Sequence, residues 1–392
     1  MPPTLLRGNG TCGTPLHYEY KLLETIPPIL GDTCKLVQRL TAPARRLYIR
    51  VNTLRINVEE YLEVLRREGI IMKRDKEIPE ALWAPVEGPL PFNIYDKRVV
   101  ADKRASESVL MGSDLYAPGV IEAKSVRPGD KVTIYSPNGI PVGSGVALMG
   151  ERDLRLSRRR GLFVRLTEPM YRSVRVGDLP GREEGLFYGQ GLPSMYVARL
   201  LEPRSGERII DLTAAPGGKV SHIAQLAGPG SRIVAVDRRS KTETLRRTLT
   251  RLGAGWVEVL GHDARYLPVD YPSLEESFDK AVLDPPCSNL GVIPKVYDSK
   301  SMADSVNLAK YQVQLAKSAY RLLRKGGILA YSVCTLSEVE TEAQARAFEE
   351  LGFELVEPPS WAKRPIRSGS GLFFSPLIHG VTGFYIALLR KV

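Results

Sequence analysis

In the stretch Val282 to Gly291, VLDPPCSNLG, an apolar run ends abruptly in a carboxylate, two prolines and a thiol. Proline fixes φ and donates no backbone hydrogen bond, so Pro285 and Pro286 are expected to end a strand at Asp284 and turn the chain outward. Asp284 and Cys287 then stand at a strand's carboxyl end, the edge at which open α/β sheets bind ligands. A second thiol, Cys334 in YSVCTL, follows the apolar segment 327–331 and is expected at the same edge. The plainer alternative is a turn with an incidentally buried cysteine, a common fate of a free thiol.

The segment DLTAAPGGK, Asp211 to Lys219, lies between an expected strand (208–212) and an expected helix (219–227). Gly217 and Gly218 permit close backbone approach to a ligand, and a helix N-terminus favours negative charge. Ala214, Ala215, Pro216, Gly217, Gly218 and Lys219 are therefore candidate cofactor contacts. Neither GxxxxGK[ST] nor GxGxxG is present, which argues against nucleoside triphosphate hydrolysis and against a dehydrogenase. Asp237 closes the next expected strand, where a carboxylate can accept hydrogen bonds from both ribose hydroxyls of an adenosine, and Asp263 after the third strand could reach the adenine. Aspartate is also frequent at strand ends and helix caps. Three acidic residues ending three successive strands, Asp237, Asp263 and Asp284, outweigh that reading and mark a cleft for an adenosine-bearing ligand without phosphate, S-adenosylmethionine.

Two thiols beside such a cofactor suit carbon methylation. Pyrimidine carbon 5 is a poor nucleophile, and thiolate addition at carbon 6 turns it into an enamine able to accept a methyl group. A free thiol has a pKa of about 8.5, so the attacker needs help from nearby charge or a base. Asp284 is placed to hydrogen-bond the amino or ring-nitrogen edge of the base, where charge changes during addition. One thiol attacks while the other helps reverse the addition, and position alone leaves open which does which. An amino-methylating enzyme would need neither.

These groups must be held by a sheet. From 206 onward, strands and helices alternate at 208–212, 219–227, 232–237, 241–252, 256–260, 280–283, 306–323 and 328–333, which predicts a parallel sheet closed by a hairpin-like pair, 353–356 with 384–389. Ahead of it, 16–40 reads as helical pieces broken at Pro27 and Pro28, 47–54 as a strand, and 58–68 as an amphipathic helix ending at Gly69. Arg50 and Asn52 on that strand are candidate RNA contacts, against the plainer reading of a solvent-facing strand. From about Arg98 short strands and turns predict a β-rich module, with Gly129-Asp130 and Asn138-Gly139 as turn signals. An arginine run centred on Arg158, Arg159 and Arg160 follows, interleaved with Leu, Phe and Tyr, and favours a phosphate-tracking surface.

At 392 residues the chain is expected to hold two or three domains, and its formal charge of +11 suits a polyanionic partner. Cys12, Cys34, Cys287 and Cys334 show no CxxC spacing, so neither a metal site nor a disulfide framework is indicated and all four are expected as reduced thiols. No stretch resembles a signal peptide or a membrane span, so the chain is expected to be cytoplasmic, away from membranes, and a monomer.

Together, DLTAAPGGK, LDPPCSNLG and YSVCTL resemble the Nop/Nol/Sun family of RNA 5-methylcytosine methyltransferases, and YGQGLPS, DRRSKTETLRRTLTRLG and TGFYIALLRK look like further family segments. The resemblance implies a Rossmann-like α/β fold of the class I S-adenosylmethionine methyltransferases. It implies that Cys334 is the nucleophile, that Cys287 assists product release, that Lys219 and Asp284 are active-site groups, and that Asp237, Lys241 and Asp263 join the cofactor contacts. MGSDLYAPGV followed by RPGDKVTIY resembles a PUA domain, a small RNA-binding barrel, with Tyr116 as a further candidate RNA contact. A PUA module placed before the catalytic core resembles the family's tRNA acceptor-end branch, which methylates cytosine 72. The expected segments are an N-terminal helical and RRM-like α+β part (1–96), the PUA domain (97–172) and the methyltransferase domain (173–392). The implied partner is tRNA, through its acceptor stem and CCA end. Ribosomal RNA methylation by a related member, and a non-catalytic RNA-binding or assembly role, are the alternatives. The chain departs from the family's usual residues at Val220, Asn289, Val333 and Thr341, with glycine usual in place of Asn289.

Overall fold

The computed structural model describes residues 7–156 and 160–392. Among the described residues the largest sheet runs in the order Glu258–Gly261, Arg232–Asp237, Arg208–Asp211, Phe278–Leu283, Leu323–Val333, Phe384–Lys391, Gly371–Phe374, Ile366–Ser368. The first five strands are parallel, as the strand–helix alternation predicts, and Phe384–Lys391 is antiparallel to its neighbour. Side chains alternate across a strand. Ile210, Val234 and Val236 therefore join the core that includes Leu315, Ala316 and Ala319 of the helix Met302–Leu322. Ile209, Ile233 and Ala235 join the opposite core, with the helices Leu192–Leu201 and Gly218–Ala227. The earliest of these strands, Arg208–Asp211, lies between Arg232–Asp237 and Phe278–Leu283. At such a switch point the crossovers diverge and leave a crevice at the carboxyl ends.

Two expectations shift. Phe353–Leu355 does pair antiparallel with Phe384–Lys391, but not as a hairpin, because Ile366–Ser368 and Gly371–Phe374 intervene and the latter also pairs with Phe384–Lys391. Those intervening strands are too short to show a period of two. The helix expected from 306 begins at Met302, because Ser301 Oγ accepts from the Asp304 N–H at 3.2 Å and the Asp304 carboxylate accepts from the Ser301 N–H at 2.8 Å.

The N-terminal sheet is antiparallel, in the order Phe187–Gly189, Arg46–Val51, Ala81–Pro85, Lys73–Arg74. Val58, Tyr61, Leu62 and Leu65 on one stripe of the helix Val58–Arg67 pack into its core. The strand Phe187–Gly189, which the sequence segments place with the catalytic part, thus completes the N-terminal sheet. Arg50 and Asn52 are buried, which corrects both readings of them. Arg50 donates to Gln190 Oε1, Gly218 O and Ser221 Oγ, each at 2.8 Å, and Asn52 Nδ2 donates to Gly185 O and Leu252 O, each at 2.8 Å. Alternation along one strand cannot reveal that a helix from a distant segment covers its outer face.

Residues 97–169 carry a six-stranded sheet with its own core, including Val99, Val132, Ile134, Val142 and Phe163. Asn138-Gly139 turns the hairpin between Lys131–Tyr135 and Pro141–Ala147, with Gly139 at φ 80. Val296, seven residues past Asn289, packs into this core, so the loop beyond Cys287 ties the module to the catalytic sheet. Tyr116 and Arg160 are exposed and adjacent in space, since Ala117 N–H donates to Gly161 O at 2.9 Å. Arg158 and Arg159 lie outside the described residues. Among the described residues no helix is long and apolar enough to cross a membrane.

Cys12 and Cys34 form a disulfide, with Cα atoms 5.4 Å apart, against the expectation of reduced thiols; Cys287 and Cys334 are free. The turn Thr11–Gly13 folds back on the helix Thr33–Arg39, where Gln38 Nε2 donates to Cys12 O at 3.2 Å. A separation of 22 residues carries no motif that would reveal the pair.

The N-terminal sheet also props the helix Gly218–Ala227 through Glu80, which accepts from Arg199 Nε at 2.8 Å and from His222 Nε2 at 2.5 Å. Burial lowers the His222 pKa from 6.5 to about 4, so the unfolded chain binds a proton there that the folded chain does not. Its contribution to stability is complete above pH 6.5 and is lost as pH falls towards 4. Urea titrations across that window should show a falling midpoint, with a shallower fall in His222→Gln. Arg50→Met should lose on the order of 2–4 kcal/mol by the same measurement, because three buried acceptors lose a charged donor.

Candidate active site

The carboxyl edge of the sheet opens into a cleft of about 370 Å³ lined by Thr213, Ala215, Asp237, Asp263, Asp284, Cys287, Asn289 and Cys334, among others. The loop Leu212–Gly217 forms one wall because Gly217 turns at φ 115, in the left-handed region, before the helix Gly218–Ala227 begins. Gly217 itself faces Thr248 and Leu245 and does not line the cleft. A second recess of about 220 Å³ lies across the loop, lined by Ala214, Ala215, Pro216, Gly218 and Lys219 together with Tyr188, Asp211 and Asp284.

Asp284 is fixed on every side. Its N–H donates to Thr213 Oγ1 at 2.9 Å, its Oδ1 accepts from Ser332 Oγ at 2.9 Å, and its Oδ2 accepts from Lys219 Nζ at 2.6 Å. Burial disfavours the Lys219 ammonium, but the paired Asp284 carboxylate more than offsets it and holds Lys219 above its usual pKa. The neighbouring Asp211, wholly buried, is pushed up to about 7 by that burial.

Cys287 and Cys334 come from two adjacent parallel strands and meet with Sγ atoms 3.3 Å apart. Cys334 Sγ–H donates to Asn289 Oδ1 at 2.9 Å and Cys287 approaches the same oxygen at 3.5 Å. The hydrogen bond with Cys334, followed by burial, raises the Cys287 pKa well above its usual value. Cys287 therefore keeps its proton. Their loops abut: Gly291 N–H donates to Cys334 O at 3.1 Å, and Gly383 N–H to Gly291 O at 2.7 Å. A Cβ on Gly291 would stand 2.4 Å from Gly383 O, so only glycine fits there. Behind Cys287, the buried Glu340 carboxylate accepts from Ser288 N–H and Gln312 Nε2, each at 3.0 Å, and from Ser305 Oγ at 2.7 Å.

The structure therefore brings together Lys219, Asp284, Cys287, Cys334 and Asp237 as the spacing suggested. Asp237 is buried and accepts from Ala215 N–H at 2.9 Å, and Lys241 stands 3.4 Å from it while lining the cleft. Asp263 lines the cleft and is gripped by Arg265 at 2.7 Å, which holds its carboxyl below the usual range. Tyr116 and Arg160 are not among the residues lining this cleft. Thr213, Ser332 and Asn289 lie inside the three motifs and Glu340 just beyond one, yet the sequence assigned none of them a role in the site.

The residues fit S-adenosylmethionine. Asp237, Asp263 and Asp284 all line the cleft, and this carboxylate-rich set suits an adenosine with a cationic sulfonium better than a polyphosphate.

Comparison with known proteins gives three matching family descriptions: 16S rRNA methyltransferase RsmB/F over residues 198–390, a PUA domain over 97–168, and an RsmF/B-like ferredoxin-like domain over 32–89. The tRNA (cytosine(72)-C(5))-methyltransferase of Pyrococcus horikoshii is 39% identical over 91% of this chain and 92% of its own length. The Mus musculus tRNA (cytosine(72)-C(5))-methyltransferase NSUN6 is 31% identical over 82% and 76%. A probable ribosomal RNA small subunit methyltransferase B of Synechocystis is 36% identical, over only 55% of this chain and 50% of its own. Among solved structures, NSun6 from Pyrococcus horikoshii with SFG superposes with a TM-score of 0.86 at 38% identity, covering 96% of this chain and 98% of that one. This chain belongs to the RsmB/F (Nop/Nol/Sun) family of S-adenosylmethionine-dependent RNA methyltransferases, in the form that joins a ferredoxin-like domain and a PUA domain to the catalytic sheet.

Proposed function

We propose that this protein methylates carbon 5 of cytosine 72 in the acceptor stem of tRNA, through a covalent bond between Cys334 and carbon 6. The observation that carries the chemistry is the pair of free thiols 3.3 Å apart beside the Lys219–Asp284 ion pair. The observation that favours tRNA is the span of the relatives. Those named for tRNA cytosine 72 match through the PUA segment, whereas the one named for ribosomal RNA reported above matches about half of the chain.

Bound S-adenosylmethionine supplies an electrophilic methyl group on its sulfonium sulfur. Asp237, Lys241 and Asp263 hold its adenosine, Thr213 and Ala215 wall the cleft, and Ala214, Pro216, Gly218 and Lys219 line the recess across the loop. The target base leaves its stack at a cost of a few kcal/mol, less at a fraying terminal pair. Asp284, held by Lys219, Ser332 and Thr213, accepts a hydrogen bond from the base edge and orients carbon 6 towards Cys334. The Cys334 thiolate forms an S–C6 bond, and the displaced electron pair makes carbon 5 nucleophilic. Methyl transfer to carbon 5 releases the cofactor as its neutral thioether; carbon 5 then gives its proton to water in the cleft, the C–H pair re-forms the C5–C6 double bond, and the S–C6 bond breaks with Cys334 leaving as thiolate. Cys287, kept protonated by its surroundings, assists that departure. Tyr116 and Arg160, both exposed, serve as docking groups for the acceptor end, together with Arg158 and Arg159 of the arginine run.

Transfer of a labelled methyl group to tRNA should be lost in Cys334→Ser; continued turnover would overturn the assignment. Cys287→Ser should trap a protein–RNA adduct that survives denaturing electrophoresis. Lys219→Met, which frees Asp284, should lower the single-turnover rate on the order of a hundredfold. Removing the CCA end should weaken methylation of tRNA, and 5-methylcytosine mapping should place the product at position 72; a preference for ribosomal RNA fragments would favour the alternative.

A further inference from the structure

Among the described residues, Asn289 is the side chain hydrogen-bonded to both free thiols. Its backbone lies at φ 58, in the left-handed region that glycine enters without penalty and that asparagine and aspartate tolerate better than other side chains. The resemblance drawn from the sequence expects glycine at this point of the motif, and the backbone conformation suits it. Here the same turn carries a carboxamide, exposed to the cleft, whose Oδ1 accepts the Cys334 S–H at 2.9 Å.

We propose that Asn289 is a positioning residue that holds the Cys334 thiol beside Cys287 with its proton on, so that the nucleophile stays masked until a base enters the cleft. A carbonyl-type oxygen facing a sulfur stabilises S–H and repels the thiolate. The thiolate is the form that attacks a base, and also the form that reacts with electrophiles and oxidants. In the absence of substrate the carboxamide therefore lowers the idle reactivity of the half-buried nucleophile. On ionisation Oδ1 loses its bond, and the side chain, unpacked on its cleft side, can rotate away. The neighbouring charged groups do not replace this contact, since the Asp284 carboxylate is engaged by Lys219 and Ser332.

The proposal rests on Cys334 being the attacking thiol, but its test reads the thiol directly. Full-length protein, N289G and N289D would be alkylated with iodoacetamide across a pH series, without tRNA, and the modified cysteine located by peptide mass mapping. Both substitutions suit φ 58, and unchanged melting temperatures would exclude a folding defect. In N289G, Cys334 should alkylate about threefold faster near neutral pH, with the acid limb of the profile displaced to lower pH, as loss of one hydrogen bond predicts. In N289D the order should reverse, because a carboxylate repels the thiolate more strongly than an amide does. Equal rates in the wild type and N289G, or slower alkylation in N289G, would overturn the proposal, and N289G decides the matter even if N289D unfolds. Should the alkylation order hold while Cys334→Ser still transfers methyl groups, the masking would stand and the assignment of the nucleophile would fall.

Discussion

The Lys219–Asp284 ion pair is the interaction on which the site depends. It joins the first residue past the cofactor loop to the end of the strand Phe278–Leu283, two points 65 residues apart in the chain. An ammonium so buried would shed its proton unless paired, and an unpaired carboxylate at a strand end would wander among solvent contacts. Paired, each fixes the other, and Ser332 on the next strand fixes the second carboxylate oxygen at 2.9 Å. Three adjacent strand ends are thereby locked into one geometry, and the two thiols, one after the middle strand and one after Leu323–Val333, inherit it.

The ferredoxin-like domain is part of that machinery. Arg50 reaches from its sheet to Gly218 O and Ser221 Oγ, and Glu80 reaches His222 and Arg199, so the cofactor helix is gripped at its first turn and again one turn on. A buried arginine is costly unless its donors are matched, and here Nη1 and Nη2 meet three acceptors at hydrogen-bond distance. The helix N-terminus that walls the cleft is in this way positioned by a separate sheet rather than by its own strand alone. The PUA module is tied in differently, through Val296 in the loop that begins at Cys287. The surface carrying Tyr116 and Arg160 thus belongs to a unit whose core is continuous with the active-site loop.

Asn289 illustrates how a departure from a motif acquires meaning. As a letter in the sequence it was a substitution for glycine in a turn. In the structure the turn's positive φ suits the glycine that the resemblance expects, and the carboxamide lies against both sulfurs, which are themselves 3.3 Å apart. Likewise Glu340, just beyond a motif, and Thr213, within one, gave no sign of their roles, because a hydrogen bond to a backbone N–H 52 or 71 residues away leaves no trace in local spacing.

The sequence by itself determined the parallel sheet, its carboxyl edge and the residues on it, because alternation of apolar segments, prolines after Asp284 and glycines after Pro216 are local constraints on φ, ψ and burial. It also marked both thiols as neighbours of the cleft. What only the tertiary structure decided are the relations between segments: that Cys287 and Cys334 touch, that Arg50 and Asn52 are buried under a distant helix, that Phe187–Gly189 completes the N-terminal sheet, and that Cys12 and Cys34 are joined. These follow from packing between elements far apart in the chain, where periodicity carries no information and only the shared geometry of the core assigns partners.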